Sequence, residues 1–226
     1  MGFVHMSDLR WDAAEEEYRR AIVLNPNVAL AHLYYSFLLT FQGRFPEALR
    51  EEKEAQNLDP ASLRIKEWHA AILYYEHDFD HAIEEERKIL DIDPNYLLAR
   101  SAIADFYVGK GQWNEAAAEL AKAATLSGNP EEATEIQVAY REHGYKGLLR
   151  YFIKRSGSRA SAKDYDPERV ARYYALLGEK DEAFHWLEKA YSDEPSLSPV
   201  KVEPEYDSLR SDPRFADLVR RIGLAQ

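Results

Sequence analysis

The sequence predicts an all-α fold: a right-handed α-solenoid of stacked antiparallel helical hairpins with a carboxy-terminal capping helix. Three observations carry that expectation. Trp11, Phe45, Phe79 and Trp113 are spaced by 34 residues each time. Ala14, Ala48, Ala82 and Ala116 keep the same step, three residues after each aromatic. Pro26, Pro60 and Pro94 follow it too, each directly after Asn or Asp. A fixed period of this length is the mark of a repeat architecture rather than of a bundle.

Each unit reads as helix, short turn, helix, then a proline-marked turn. Small residues at Gly2, Ser36, Ala70 and Ala104 let the second helix approach the first, and the alanine column does the same from the other side. Proline cannot sit in a helix interior, so it marks the start of the next hairpin. Gly43 and Gly111 hold one equivalent turn position, with His77 between them. Leu24, Leu58, Ile92 and Leu126 also keep the register. The expected division is an incomplete first repeat over 1–28, good repeats over 29–62, 63–96 and 97–130, and a degenerate repeat over 131–163. A further repeat follows over 164–197 and a cap over 198–226. Segment 131–163 reads as two helices, 131–143 and 145–155, around Gly144. The repeat after it returns with Ala171, Tyr174, Gly178, Ala183, Leu187, Ala190 and Pro195. In the tail, Asp212 is an expected N-cap with Pro213 at the first helical position. Phe215, Leu218, Val219 and Ile222 form one apolar stripe that suits a helix covering the last hairpin.

This pattern resembles the tetratricopeptide repeat family. The resemblance implies a superhelix whose first helices line a concave, partner-binding groove. The groove residues so implied are Leu33, Tyr34, Phe37 and Phe41, then Arg64, Glu67, Trp68 and Tyr75, then Ser101 and Asp105. The family's lysine and asparagine clamp for a peptide carboxylate is not matched, because Leu33, Phe37 and Ser101 stand where basic or amide residues belong. No carboxylate-clamp chaperone tail is therefore expected as partner. The stretch GEKDEAFHWLEKAYSDEP, followed by VKVEPEYDSLRSDPRF, is similar to the carboxy-terminal repeats of large bacterial signalling and transcription-regulator proteins. The first hairpin begins midway, which reads as truncation from a longer parent or pairing with a second copy.

The 226 residues carry a net charge of −11. That argues against whole-surface binding to nucleic acid or anionic membrane. Residues 141–163 reverse the sign, with seven Lys/Arg against one Asp/Glu. Lys146, Arg150, Lys154 and Arg155 recur there at helical spacing beside Leu149, Phe152 and Ile153. They form a second candidate docking surface or a face turned to the acidic repeats, and SGSRASAK after them reads as a flexible loop. The absence of cysteine removes disulfides, thiolate metal sites and cysteine nucleophiles, and leaves the compartment open.

No phosphate-binding glycine loop, calcium loop or serine-hydrolase elbow is present. His77 and His81 are four apart, but they straddle an expected turn and have no third ligand. The acidic runs Glu15–Glu17, Glu51–Glu52 and Glu84–Glu86 read as an outer solvated face with Arg19, Arg20, Lys53 and Arg87 nearby. The expected function is a non-catalytic scaffold for a protein or peptide with apolar or aromatic contacts, with no cofactor and no metal. The alternatives are a homo-oligomerisation or regulatory module of a transcription factor or kinase, and a metal-dependent enzyme at His77/His81.

Overall fold

The computed structural model describes residues 10–156, 165–193 and 199–224. Helices α1 (Trp11–Leu24), α2 (Ala29–Phe41), α3 (Phe45–Leu58), α4 (Leu63–Tyr75), α5 (Phe79–Ile92), α6 (Leu97–Gly109) and α7 (Trp113–Leu126) follow one another. Then come α8 (Pro130–Ser156), α9 (Pro167–Leu177), α10 (Lys180–Asp193), a 3-10 turn (Pro204–Leu209) and α11 (Pro213–Arg221). No strand occurs among the described residues. The chain is an all-α solenoid in which each helix from α1 to α10 packs on its sequence neighbour, and α2, α4 and α6 also touch along the inner side.

The small-residue columns explain that spacing. Ala14, Ala48, Ala82 and Ala116 are fully buried, as are Ser36, Ala70 and Ala104. Any larger side chain there would push the helices apart, at about 1–3 kcal/mol. Between helices the chain must turn through the left-handed region. Gly43 (φ 78°), His77 (φ 66°) and Gly111 (φ 70°) do so at one repeat position, and His77 carries the steric cost of a Cβ there. Gly144 (φ 61°, ψ −155°) breaks α8 into two helices in a conformation reserved for glycine.

Leu24, Leu58, Ile92 and Leu126 keep the register without being buried, at 76%, 36%, 60% and 42% exposure, each as the last residue of a second helix. The acidic runs are not wholly external either: Glu52 and Glu86 are each 1% exposed. Helical periodicity turns this repeat position inward between neighbouring hairpins, where the first repeat has the buried Tyr18.

The carboxy-terminal segment packs on both ends of the solenoid. On α10, Arg214 bonds Asp181 (2.8 Å) and Arg221 bonds Glu188. On α1, Trp11 Nε1 donates to the Ile222 carbonyl at 2.6 Å. Residues 199–209 run between them as a strap. Lys201 Nζ donates to the Gln42 carbonyl (2.9 Å), Ser208 to the Ala175 carbonyl (3.3 Å), and His77 Nε2 lies 2.7 Å from Asp207 Oδ2. Val200, Val202, Tyr206, Phe215 and Leu218 join Trp11, Tyr18, Tyr35, Leu38 and Phe184 in one core. Asp212 caps α11 through the Arg214 N–H, with Pro213 inside the first turn. Gly2, Pro195 and the loop SGSRASAK lie wholly or mostly outside the described residues.

Candidate binding groove

The first helices α2, α4 and α6 place their inner faces on a cavity of about 550 Å³. Phe37 and Trp68 form its aromatic wall, with ring centroids 3.7 Å apart. Tyr75 extends the wall, and Arg64, Glu67, Ser101 and Asp105 supply its polar groups. Glu168 and Arg172 of α9 and Glu203 of the strap face them. A second cavity of about 610 Å³ adjoins it through Ser101, Asp105 and Arg172 and continues between α6, α7, α8 and α9.

Seven of the ten expected groove residues line the first cavity: Phe37, Arg64, Glu67, Trp68, Tyr75, Ser101 and Asp105. Leu33 and Phe41 are corrections. Leu33 is fully buried with Ala55 and Ile65, and Phe41 is 9% exposed with its ring edge against Trp68. Leu33 is covered by Ala55 and Ile65, and Phe41 by Trp68 and Tyr75 of the next hairpin, so neither lines the cavity. Tyr34 is half-buried, with Tyr18 on one side and Phe37 at its edge. The Arg64 guanidinium sits 5.5 Å from the Tyr34 ring centre, a cation–π distance.

The expected basic patch is divided by the fold. Arg150 pairs with Glu179, and Arg155 pairs with Glu132 at 3.3 Å and lines the second cavity. Leu149 is buried and Phe152 stacks on Tyr173, while Lys146 and Lys154 are exposed. His77 and His81 diverge, His81 Nδ1 lying 2.7 Å from Asp78 Oδ2. No cluster of three or more potential metal ligands occurs among the described residues.

Sequence reasoning missed the acidic centre. The Tyr74 hydroxyl donates to Glu205 Oε2 at 2.5 Å and lies 3.1 Å from Glu203 Oε1. Arg172 Nη1 is 3.4 Å from Glu203 Oε1. Burial, then the Glu203 charge, pushes Glu205 up to about 8. Partial desolvation within the groove pushes Asp105 upward, opposed by the Arg172 charge. Glu86, on the inner side of α5, is pushed up to about 8 by burial and then by the Glu67 charge. Only the 34-residue register of the acidic runs could have pointed to Glu86. The strap residues carry no periodic signal.

No family model matches the chain, and no curated protein sequence matches it. Solved structures do. The type IV pilus biogenesis factor PilW is similar at 18% identity over 89% of this chain and 94% of that one, with a TM-score of 0.56. PilF of Pseudomonas aeruginosa is similar at 16% identity over 90% of this chain and 94% of that one, TM-score 0.55. A tetratricopeptide repeat protein from Parabacteroides merdae ATCC 43184 shows 17% identity over 98% of this chain and 89% of that one, TM-score 0.52. At this identity the likeness speaks for architecture alone. Together with the stacked hairpins, it gives this chain the tetratricopeptide-repeat fold.

Proposed function

We propose that this chain is a protein-interaction scaffold whose inner groove holds an extended segment of a partner protein. One observation carries the reading. The inner faces of α2, α4 and α6 leave an aromatic wall, Phe37 and Trp68, beside the carboxyl groups of Glu67, Asp105 and Glu168 in one open concavity. An extended peptide with alternating apolar and basic side chains complements both features. The similar structures, which share the fold, are consistent with this use of the groove. The resemblance of residues 130–224 to repeats of bacterial signalling proteins supports a setting in which the scaffold recruits a partner to a signalling assembly.

The test uses side chains that line the groove without holding the fold. Ser101 and Asp105 are exposed on the inner wall, whereas Lys122 is exposed on α7 outside both cavities. Affinity capture with the wild type, Ser101→Arg, Asp105→Lys and Lys122→Glu is compared. Partners retained by Lys122→Glu and lost from both groove variants support the reading. Equal recovery by all four proteins refutes it.

A further inference from the structure

Glu86 is a buried acid on the groove wall for which no side-chain partner is found among the described residues. It is 1% exposed, and its Oε2 is buried without a hydrogen-bond partner among the described residues. Buried polar groups in native proteins are nearly always bonded, so an orphaned carboxyl oxygen at a cavity wall asks for a reason. The repeat supplies a control. Glu52 occupies the same position one period earlier and is equally buried. There His69 of the next hairpin meets it, with Nδ1 3.0 Å from Glu52 Oε2, while Glu52 Oε1 is buried without a partner as Glu86 Oε2 is. One period after His69 stands Ile103, which is buried and apolar. The partner has been replaced and the acid kept.

What lies in front of Glu86 is the groove. Glu86, Glu67, Trp68 and Leu98 share its wall. Glu67 is partly held by the Tyr96 hydroxyl, which donates to its Oε2 at 3.0 Å. Trp68 presents an aromatic face, and its buried Nε1 has no hydrogen-bond partner. Arg64, which sits over Tyr34 and Phe37, and Arg172 are the cations on the same cavity. Two carboxyl groups beside an indole form a site for a compact organic cation.

We propose that Glu67, Glu86 and Trp68 form a subsite for a cationic side chain, lysine or arginine, of the segment docked in the groove. The proposal rests on the groove reading and adds the chemical class of its anchor. The ammonium or guanidinium lies between the two carboxyl groups, with its alkyl stem along Trp68 and Leu98. Arrival of the cation gives Glu86 the charged partner that His69 gives Glu52.

The test uses small cations as probes of the intact chain. Butylammonium and butylguanidinium ions are titrated against the protein near pH 9, where Glu86 is ionised, with butanol as the neutral control. The Trp68 indole N–H and the Glu86 side-chain carboxyl carbon are followed by NMR. The cations are expected to shift both signals saturably and butanol is not. Glu86→Gln, which keeps the shape, is expected to weaken the cations about tenfold or more. Thermal unfolding of that variant at or above the wild-type midpoint shows that its fold is kept. Glu52→Gln serves as the paired control and leaves cation binding unchanged. Shifts that are equal for butanol, or undiminished in Glu86→Gln, overturn the subsite. If the subsite fails while Ser101→Arg still loses partners, the groove reading stands alone. If Ser101→Arg keeps its partners while the cations bind, the subsite exists but does not serve docking.

Discussion

Helices α2–α7 and the segment 199–224 are held by different kinds of contact. In α2–α7 each helix meets elements within about one period, and the same residue types do the same work three times over. The tail does the opposite. Trp11 and Ile222 are 211 residues apart in sequence, and Tyr74 and Glu205 are 131 apart. None of these pairs recurs. A repeat array is a near-additive stack whose ends are free to fray. Here the tail ties the last hairpin to the first, so a local stack gains long-range cooperativity. Closing so long a loop costs little more than closing a short one, since the entropy term grows only with the logarithm of length.

The tie is the place to break that comparison hardest. Trp11→Ala and Tyr206→Ala each remove a large buried ring from the shared core. Each is expected to cost about 3–5 kcal/mol in urea unfolding. A single transition with an unchanged slope is expected for the wild type, because the tail joins the two ends into one unit. Two resolved transitions in the wild type would show that the ends unfold independently.

The tail also makes stability depend on pH. Glu205 in the strap and Glu86 in the stack hold their protons up to about 8 when folded, against an ordinary value of 4.5. Between those values the folded chain binds more protons than the unfolded chain. Stability from these two groups is therefore full below about pH 4.5 and falls as pH rises toward about 8. The melting temperature is expected to be higher near pH 5.5 than near pH 8. Glu205→Gln and Glu86→Gln should each flatten the difference. A melting temperature that rises over this interval contradicts the assignment.

The smallest effects sharpen the contrast within the stack. Leu24→Ser and Ile92→Ser alter repeat positions that are exposed, and each should change stability by no more than about 0.5 kcal/mol. Losses above about 2 kcal/mol would place these leucine-type positions in a core.

How much of this was legible follows from the same contrast. The hairpins, the buried alanine columns, the left-handed turns at Gly43 and Gly111 and the break at Gly144 follow from local rules. A sequence repeats what each unit needs of its neighbour. The inner-wall residues Arg64, Glu67, Trp68, Ser101 and Asp105 were legible through the family resemblance. Leu33 and Phe41 share the face of Phe37 but are covered by side chains of neighbouring helices, which spacing along one helix does not show. Glu52 and Glu86 belong to acidic runs that look external in one dimension, and only the stacking of hairpins buries them. Tyr74, Arg172, Glu203 and Glu205 were invisible as a group, since their meeting depends on how the tail returns across the stack.

Hydrogen exchange on the intact chain tests that return most directly. The account predicts that amides of α11 are protected to within about tenfold of those in α2 and α3, because one opening exposes them all. The Trp11→Ala variant should lower protection in α11 and α1 together. Exchange of α11 orders of magnitude faster than that of α2, unaffected by Trp11→Ala, would contradict the closure of the solenoid by its own tail.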